Sequence, residues 1–407
     1  MKNKIPDKAS VLVTNGWVRT AYNIVESLGR RGIAVHVVDN SKHAMSRYSR
    51  WTRSFHLVPN FYKEPKGYVQ ALADIIRYLD IKVLMPVLED IITLAEHEDV
   101  LPKEVKFVHA SLDSLKIAND KFEIIKFCQQ VGAPCAETWA PSSFEEVTGL
   151  AEKIDYPVVC KTRRSNSGKG VFIVYNKDDL LKKYNELIYK FSLSPEKYPI
   201  IQEYLGTHVI GVCMIYDRGR LLAATAEAYL RCKEMNRFGT SVFRVSIQAP
   251  AAVKQCRSVA DSLGWNGVIQ FDLIFDAKTK QYKIIEANPR FWGGLILSIY
   301  SGVDYPYMLY KLALNESVFI DENLVKTGVS AHWVLGEIIS LINLIKSKSP
   351  LGQKLDYLTH ILKSSYKGGS DDFRLADPVP FLMELYDYFL KFLHSGSLNP
   401  VEDEMIF

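Results

Sequence analysis

Polar side chains occupy every second position of a segment that otherwise reads as a buried strand. In the stretch IIEANPRFWGG, residues 284–294, these side chains are Glu286, Asn288 and Arg290. Alternate side chains of a strand share one face, so the three are predicted to point in the same direction if the strand stays regular. An acid, an amide and a guanidinium on one face restrict the chain to folds that give this strand a polar, ligand-facing side.

A second apolar stretch, GVIQFDLIFD, lies shortly before and carries Gln270 and Asp272 at the same period. The polar turn AKTK joins the two stretches, which predicts an antiparallel hairpin. Pairing would gather carboxylate and amide oxygens, the ligands that suit a hard cation such as Mg²⁺. Arg290 beside the metal would then hold an anion such as a phosphoryl group. The alternative is a solvated sheet face with a salt bridge between alternate residues.

The bulk composition describes an ordinary globular chain of 407 residues, enough for two or three packed units. Hydrophobic residues make up 48% and charged residues 24%, and the net charge of +4 gives no case for nucleic acid as a partner. Six cysteines without CxxC or zinc spacing indicate free thiols in a reducing compartment. The polar N-terminus is unlike a secretory leader, and no apolar run is long enough to span a bilayer. We therefore expect a cytoplasmic protein without a transmembrane segment.

The first part of the chain alternates between strand and helix patterns. Strand patterns at 10–16 and 33–40 flank a helical pattern at 18–32, which predicts a βαβ unit. Residues 83–90 and 105–110 read as further strands of the same parallel sheet. The first turn lacks the G-x-G-x-x-G fingerprint, so no nicotinamide site is predicted. We expect this first, Rossmann-like domain to cover residues 1–115.

A loop rich in small residues, RRSNSGKG at 163–170, joins the predicted strands PVVCKT and VFIVYN. Small residues leave backbone N–H groups free to surround phosphate oxygens. Lys161 lies on the strand just before and can reach such oxygens as a point charge. A plain flexible hairpin explains the loop equally well when the loop is taken alone. Gly170 and Lys161 therefore gain meaning only beside the downstream metal strands.

The stretch IIQEYLG, residues 200–206, reads as a strand edge that leads into a turn. Such an edge can offer backbone groups to an adenine, with Glu203 and Leu205 placed there by position. His208 follows closely, although a single histidine is more often an ordinary surface or core residue.

Taken in order, these segments resemble the ATP-grasp superfamily. The order is a strand with a lysine, a glycine loop, QEYLG, paired metal strands and E-x-N-P-R; the ending NPRFWGG and the following SGVDYPYMLY are typical of the carbamoyl-phosphate-synthase-like carboxylate–amine ligase branch. The resemblance covers roughly residues 10–315. It implies an α/β and α+β fold with an N-terminal Rossmann-like pre-ATP-grasp domain at 1–115. An ATP-grasp domain at 116–315, with two lobes divided near 195–205, and a mostly helical extension at 316–407 would follow.

The resemblance also implies roles for individual residues. Nucleotide and phosphate binding would fall to Lys121, Lys161, Ser165, Ser167, Gly168, Gly170, Glu203, Leu205 and His208. Metal ligation would fall to Gln270, Asp272, Glu286 and Asn288. Arg290 would steady the transferring phosphate, with Lys161 and Arg244 as further catalytic residues. Two positions depart from the usual pattern: Gln270 stands where an acid is common, which leaves Asp272 as an alternative ligand, and His208 stands where the ribose contact is commonly Glu.

Four cations lie within the fourteen residues RCKEMNRFGTSVFR, namely Arg231, Lys233, Arg237 and Arg244. Burying them without partners would be costly, so the stretch is either a solvated loop or a substrate loop that meets the carboxylate and the γ-phosphate. Further on, apolar helices are predicted near 333–345 and 381–393. We expect them to pack against the body or a second subunit, with a membrane surface as the alternative.

The expected activity is that of an ATP-dependent ligase using Mg²⁺ or Mn²⁺. A small-molecule carboxylate would attack ATP to give an acyl phosphate and ADP, and an amine would displace phosphate to form an amide. A carbamoyl-phosphate-like or carboxylating enzyme that activates bicarbonate is the nearest alternative. A nucleotide-binding regulator without turnover is an alternative of another class. The expected partners are the acid and the amine, with no nucleic acid, and a homodimer is allowed; the sequence does not identify either substrate.

Overall fold

We describe the protein from a computed structural model, which covers residues 8–165, 168–233, 239–319, 325–347, 350–365 and 368–395. Ser167 and Arg237, both named above, lie outside the described residues. Within the described parts of the chain, no helix combines the length and the apolar character that a membrane span requires. The described cysteines are all free thiols, as predicted.

The N-terminal part of the chain forms a five-stranded parallel sheet. Its strands are β1 (Val11–Val13), β2 (Val35–Asp39), β3 (Thr52–Leu57), β4 (Val83–Met85) and β5 (Lys106–Phe107), with helices α1 (Arg19–Gly29), α2 (Pro65–Leu79) and α3 (Asp90–Glu96). The spatial order is β3-β2-β1-β4-β5. Strands β1, β2 and β4 are buried along their whole length, as in parallel sheets covered on both faces.

The sequence predicts the βαβ unit and the later parallel strands of this sheet correctly, but it does not predict β3. That strand lies at the sheet edge and is partly exposed, and its sequence TRSFHL lacks the apolar run on which the other predictions depend.

A small antiparallel sheet follows, with the strand order β6-β9-β7-β8. Its strands are β6 (Thr138–Trp139), β7 (Val158–Lys161), β8 (Val171–Val174) and β9 (Ile200–Glu203). The helices of this region are α4 (Leu112–Asn119), α5 (Lys121–Gln130), α6 (Phe144–Ala151) and α7 (Lys177–Phe191). Buried side chains of α6 and α7, including Val147 and Tyr184, pack on this sheet as a separate core.

The largest sheet has seven strands in the order β14-β13-β10-β11-β12-β15-β16. They are β10 (Val209–Asp217), β11 (Arg220–Cys232), β12 (Ser241–Ile247), β13 (Gly267–Asp276), β14 (Gln281–Asn288), β15 (Ser330–His332) and β16 (Gly369–Ser370). Alternate residues of β10 point to opposite cores. Cys213 and Ile215 join the core of the N-terminal sheet, whereas Val212 and Met214 pack toward α8 (Pro250–Ser262).

The C-terminal part of the described chain is mostly helical but also extends the large sheet. Its helices are α9 (Leu295–Tyr300), α10 (Tyr305–Ala313), α11 (Val334–Lys346), α12 (Leu351–Ser365) and α13 (Val379–Ser395). Strand β15 pairs with β12, and β16 pairs with β15. Helices α11 and α13 pack on the body through Trp333 and Phe381, as expected for the two apolar helices. The division at residue 315 stays a prediction.

Candidate active site

Strands β13 and β14 pair so that the four predicted metal ligands face one another. Gln270 lies opposite Asn288, and Asp272 lies opposite Glu286. The Asn288 amide donates to Gln270 Oε1 at 3.3 Å. Two carboxylates and two amide oxygens are therefore gathered in one place, which is the donor set that a hard cation prefers.

A β-bulge interrupts the register just beyond Asp272, because Leu273 pairs with Ile284 and leaves Ile285 as the extra residue. The bulge makes the Ile285 carbonyl available to a side chain, and Lys161 Nζ donates to it at 3.2 Å. Bulges of this kind commonly redirect groups beside functional sites. The strand is thus less regular than its alternating sequence predicts.

The two carboxylates are held close together within the protein. Burial raises the pKa of Asp272 well above its usual range, and the charge of Glu286 adds to the shift. Burial would also raise the pKa of Glu286, but the ammonium groups of Lys121 and Lys161 outweigh it and lower the pKa. A divalent cation would relieve the repulsion between the carboxylates, so the residues present fit Mg²⁺.

Lys161 ends β7 with its side chain buried among polar groups. Its ammonium donates to Gln202 Oε1 at 2.9 Å as well as to the Ile285 carbonyl. Burial lowers the pKa of this lysine to about 8, although the charge of Glu286 opposes the shift. An anion in the cavity would restore the charged form.

Lys121, the first residue of α5, reaches the same place from another element. Its Nζ lies 3.7 Å from Glu286 Oε2 and donates to the Ser165 carbonyl at 2.7 Å. The lysine therefore ties the small-residue loop to the carboxylates. Gly170 closes that loop, since its carbonyl accepts from the Thr162 N–H at 3.1 Å and its φ of +59° is one that glycine adopts readily.

Arg290 lies just beyond β14 and is held by three partners. Its Nε donates to Glu89 Oε1 at 2.7 Å, and its terminal nitrogens donate to the Phe291 carbonyl at 2.8 Å and to Asn288 Oδ1 at 3.2 Å. Glu89 follows β4, at the carboxyl end of the parallel sheet, where α/β proteins commonly place ligand-binding residues. The N-terminal sheet thus reaches the site through Glu89.

Tyr229 on β11 adds a hydroxyl group to the polar face formed by β13 and β14. Its hydroxyl donates to Asp272 Oδ1 at 2.8 Å and accepts from Gln270 Nε2 at 2.7 Å. Gly211 on the intervening strand makes room for these contacts, because a Cβ there would come 2.8 Å from the Tyr229 hydroxyl and 2.9 Å from Gln270 Nε2. The glycine is required by close approach across the sheet.

One cavity collects most of the predicted residues. Lining it are Lys121, Lys161, Ser165, Gly168, Glu203, Leu205, Arg244, Gln270, Asp272, Glu286, Asn288 and Arg290, together with apolar side chains such as Val159, Ile274 and Ile285. These apolar residues are not predicted from the sequence, since they read as ordinary core. Gly170 and His208 are absent from the lining, and His208 is exposed. A ribose contact from His208 stays a prediction.

Two cations of the cationic stretch, Arg231 and Arg244, are paired with carboxylates from elsewhere in the described chain. Arg231 Nε donates to Glu337 Oε1 at 3.2 Å, and Arg244, 2% exposed, forms an ion pair with Asp371. Both carboxylates belong to the C-terminal part of the chain. Their charges offset the cost of burying the two arginines, which the local sequence could not reveal.

Glu89, Glu227 and Tyr229 are functional candidates that sequence reasoning missed. Glu227 and Tyr229 line the cavity and occupy alternate positions of the apolar stretch AATAEAYL on β11. This is the same pattern that predicts Glu286 and Asn288, so the signal was present. Glu89 follows a strand of the parallel sheet, which is a weaker but general signal.

Comparison with known proteins assigns this architecture to a class. A model described as "ATP-grasp in the biosynthetic pathway with Ter operon" matches residues 196–336. A model of the carbamoyl-phosphate synthase L chain ATP-binding domain matches residues 120–196. The chain is thus an ATP-grasp protein. Within that superfamily, the matches support the carbamoyl-phosphate-synthase-like branch, whose members use ATP with Mg²⁺.

Curated relatives include large chains of carbamoyl phosphate synthase. The N-terminal section of that chain from Methanopyrus kandleri is 27% identical over 198 residues, 46% of this chain and 34% of its own length. The Pyrococcus furiosus large chain is 24% identical over 238 residues, 56% of this chain and 22% of its own length. The matched region therefore spans about a third or less of these relatives.

Solved structures share the fold at low identity. The biotin carboxylase domain dimer of Hydrogenobacter thermophilus 2-oxoglutarate carboxylase, solved with MgADP and bicarbonate, superposes with a TM-score of 0.65 at 17% identity, covering 79% of this chain and 73% of its own. The L-amino acid ligase of Bacillus licheniformis gives a TM-score of 0.61 at 15% identity and covers 80% of both chains. These likenesses establish the fold alone.

Proposed function

We propose that the protein is an ATP-dependent carboxylate–amine ligase. A carboxylate of the acid substrate attacks the γ-phosphorus of ATP, and ADP leaves to give an acyl phosphate. The amine then attacks the acyl carbon, the C–O bond to phosphate breaks, and an amide and inorganic phosphate are released. The single observation that supports the proposal is the convergence of Lys121, Lys161 and Arg290 with the Asp272–Glu286 pair on one cavity.

In this proposal the chain works by positioning charge. Lys121 and Lys161 hold phosphate oxygens, and Arg290, fixed by Glu89, holds the transferring phosphoryl group. Gln270, Asp272, Glu286 and Asn288 would hold Mg²⁺, which neutralises charge on the phosphates when bound. The apolar residues Val159, Ile274 and Ile285 suit an adenine ring, with Glu203 and Leu205 at its edge.

Bicarbonate activation is the second candidate. It is favoured by the curated relatives, which are carbamoyl phosphate synthases, and by the biotin carboxylase likeness. Both reactions use the same phosphate groups and differ in the acceptor. The likeness to L-amino acid ligase and to the N5-carboxyaminoimidazole synthetase of Staphylococcus aureus leaves both acceptors open at the level of fold.

The cytoplasmic location and a homodimer stay predictions, and the proposed domain limits remain 1–115, 116–315 and 316–407.

A trapping experiment tests the ligase proposal. The enzyme is incubated with Mg-ATP, hydroxylamine and a panel of carboxylic acids, and hydroxamate and ADP are measured together. We expect one class of acid to give hydroxamate and ADP in equal amounts. Arg290→Ala should lose the product, and Arg290→Lys should restore it poorly, because a point charge cannot replace a planar two-pronged donor. ADP release that depends on bicarbonate, with no hydroxamate from any acid, would instead establish the second candidate.

A further inference from the structure

Glu227 is a buried carboxylate that lines the active-site cavity. It lies near the middle of β11, opposite Gly211 on one side and Ser246 on the other, and its side chain is 3% exposed. Among the described residues, neither of its carboxylate oxygens has a hydrogen-bond partner. Buried polar groups are nearly always paired, so a buried, unpaired carboxylate on a residue that lines the cavity points to a ligand.

The nearby cation does not satisfy Glu227. Arg244 influences it electrostatically, but Arg244 forms its ion pair with Asp371 and donates from Nη1 to the Ser241 carbonyl at 3.1 Å. No ion pair within 4.0 Å joins Glu227 to a cation in the described part of the chain. Arg244 therefore forms no hydrogen bond with Glu227, and its own buried Nε also lacks a hydrogen-bond partner among the described residues.

Gly294 packs closely against this carboxylate. A Cβ at Gly294 would come 2.6 Å from Glu227 Oε1 and 2.8 Å from Oε2, so the carboxylate would have to shift to accommodate it. The φ of Gly294 is −90°, so its backbone does not require glycine. The close packing against the carboxylate, and not backbone conformation, is the physical reason for glycine at this position.

From these observations we propose that Glu227 binds the cationic amino group of the amine substrate. A primary ammonium has three donors and one positive charge, so it can satisfy both unpaired oxygens of Glu227 at once. Tyr229, two residues further along β11, contacts Asp272, which places the Glu227 pocket beside the proposed phosphate-transfer site. This proposal rests on the proposed ligase function, because that function is what makes an amine the second substrate.

Binding measurements test this directly, without turnover. The full chain, loaded with Mg²⁺ and a non-hydrolysable ATP analogue, is titrated with methylammonium, ethanolamine and the twenty common L-amino acids, and with N-acetyl forms of the amino acids. We expect at least one free amine to bind and its N-acetyl form to bind at least about tenfold more weakly, because acetylation removes the charge.

Two variants assign the binding to this site. Glu227→Gln keeps the shape and removes the charge, and it should weaken the amine by roughly ten- to a hundredfold. Gly294→Ala places a methyl group against the carboxylate oxygens and should weaken amine binding in the same way. Gly293→Ala is the matched control, since the nearest atom to a Cβ there is Arg19 Nη2 at 3.8 Å. Its affinity should stay close to that of the natural chain.

The outcomes separate this proposal from the ligase proposal. Unchanged amine affinity in both Glu227→Gln and Gly294→Ala would overturn it, as would N-acetyl forms that bind equally well or the failure of every amine to bind. Hydroxamate formation by the natural chain is measured separately, because hydroxylamine is uncharged near neutral pH and does not report on the binding of a cationic amine. If the natural chain formed no hydroxamate from any acid, that result would count against the ligase function. The measured binding of amines at Glu227 would be unaffected by it.

Discussion

Buried charged groups are paired differently at the two ends of the cavity. At the phosphate end, defined by Lys121, Lys161, Asp272 and Glu286, each lysine has partners within the chain, and the carboxylates face each other and the lysines. At the Glu227 end, the carboxylate oxygens lack hydrogen-bond partners among the described residues. The first end is a set of charges that can exchange internal partners for ligand atoms. The second end has a buried, unpaired carboxylate packed closely against Gly294.

The difference affects how each end behaves before its ligands bind. Internal partners keep the phosphate end ordered before ATP and Mg²⁺ arrive, so little reorganisation is needed at the moment of reaction. Substitutions at the two ends should therefore separate: those at the phosphate end should change phosphate chemistry without changing amine affinity. Three variants test this separation.

Glu286→Ala should have the largest effect. Removing this carboxylate takes away a proposed metal ligand and one of the charges that balance Lys121 and Lys161, so ADP release should fall by about 100-fold or more. Amine binding at Glu227 should be retained, and the variant should remain folded because the Asp272–Glu286 repulsion disappears. Near-normal ADP release would remove Glu286 from the metal site. The same assay on Gln270→Ala and Asp272→Ala would establish which residue supplies the remaining ligand.

Lys161→Met should weaken Mg-ATP binding by roughly tenfold or more, because a charge-assisted contact to phosphate is lost. The effect depends on pH in a defined direction. The pKa of Lys161 is lowered to about 8 by burial, so the empty natural chain loses this charge above pH 8 and its Kd for Mg-ATP should rise between pH 7 and pH 9. The methionine variant should lose that part of the pH dependence.

The same shift predicts a change in stability. Because the folded pKa of Lys161 lies below its unfolded value of about 10.4, the unfolded chain binds more protons between those values. The contribution of this lysine to the free energy of unfolding should therefore rise from pH 8 to about pH 10.4, and Lys161→Met should abolish the rise. Thermal melts with and without Mg-ATP measure both effects. Equal pH profiles in the two chains would move the titrating group elsewhere.

Glu89→Gln should have the smallest effect of the three. Glu89 orients Arg290 through a 2.7 Å contact and is proposed to act through it, not on the substrate. Loss of a supporting contact of this kind costs about 10-fold to 100-fold in activity, and we expect the lower end because glutamine can still accept the hydrogen bond. The effect should appear in kcat for hydroxamate formation, with KM for ATP and amine affinity little changed. A change confined to melting temperature would make Glu89 purely structural.

The alternation of side chains along a strand was sufficient to predict site residues that share one face of that strand. Glu286 and Asn288, with Gln270 and Asp272, were predicted from alternation within apolar flanks, and the structure places them opposite one another. The same rule would have found Glu227 and Tyr229, but two polar residues in a long apolar strand stood out less without a second strand of the same pattern. Strand β3 was missed because an exposed edge strand does not need an apolar run.

The sequence by itself determined the paired strands β13 and β14, the small-residue loop and the polar face, because side-chain periodicity and backbone preferences act within a few residues. Only the tertiary structure decided how buried charges are paired. Arg244 lies 127 residues from Asp371, and Arg290 lies 201 residues from Glu89. Such pairs form because a buried charge needs a counter-charge from whichever element packs beside it, and that choice is made by the fold. The unpaired carboxylate of Glu227 has the same origin, because the fold pairs its neighbours Arg244 and Tyr229 with Asp371 and Asp272.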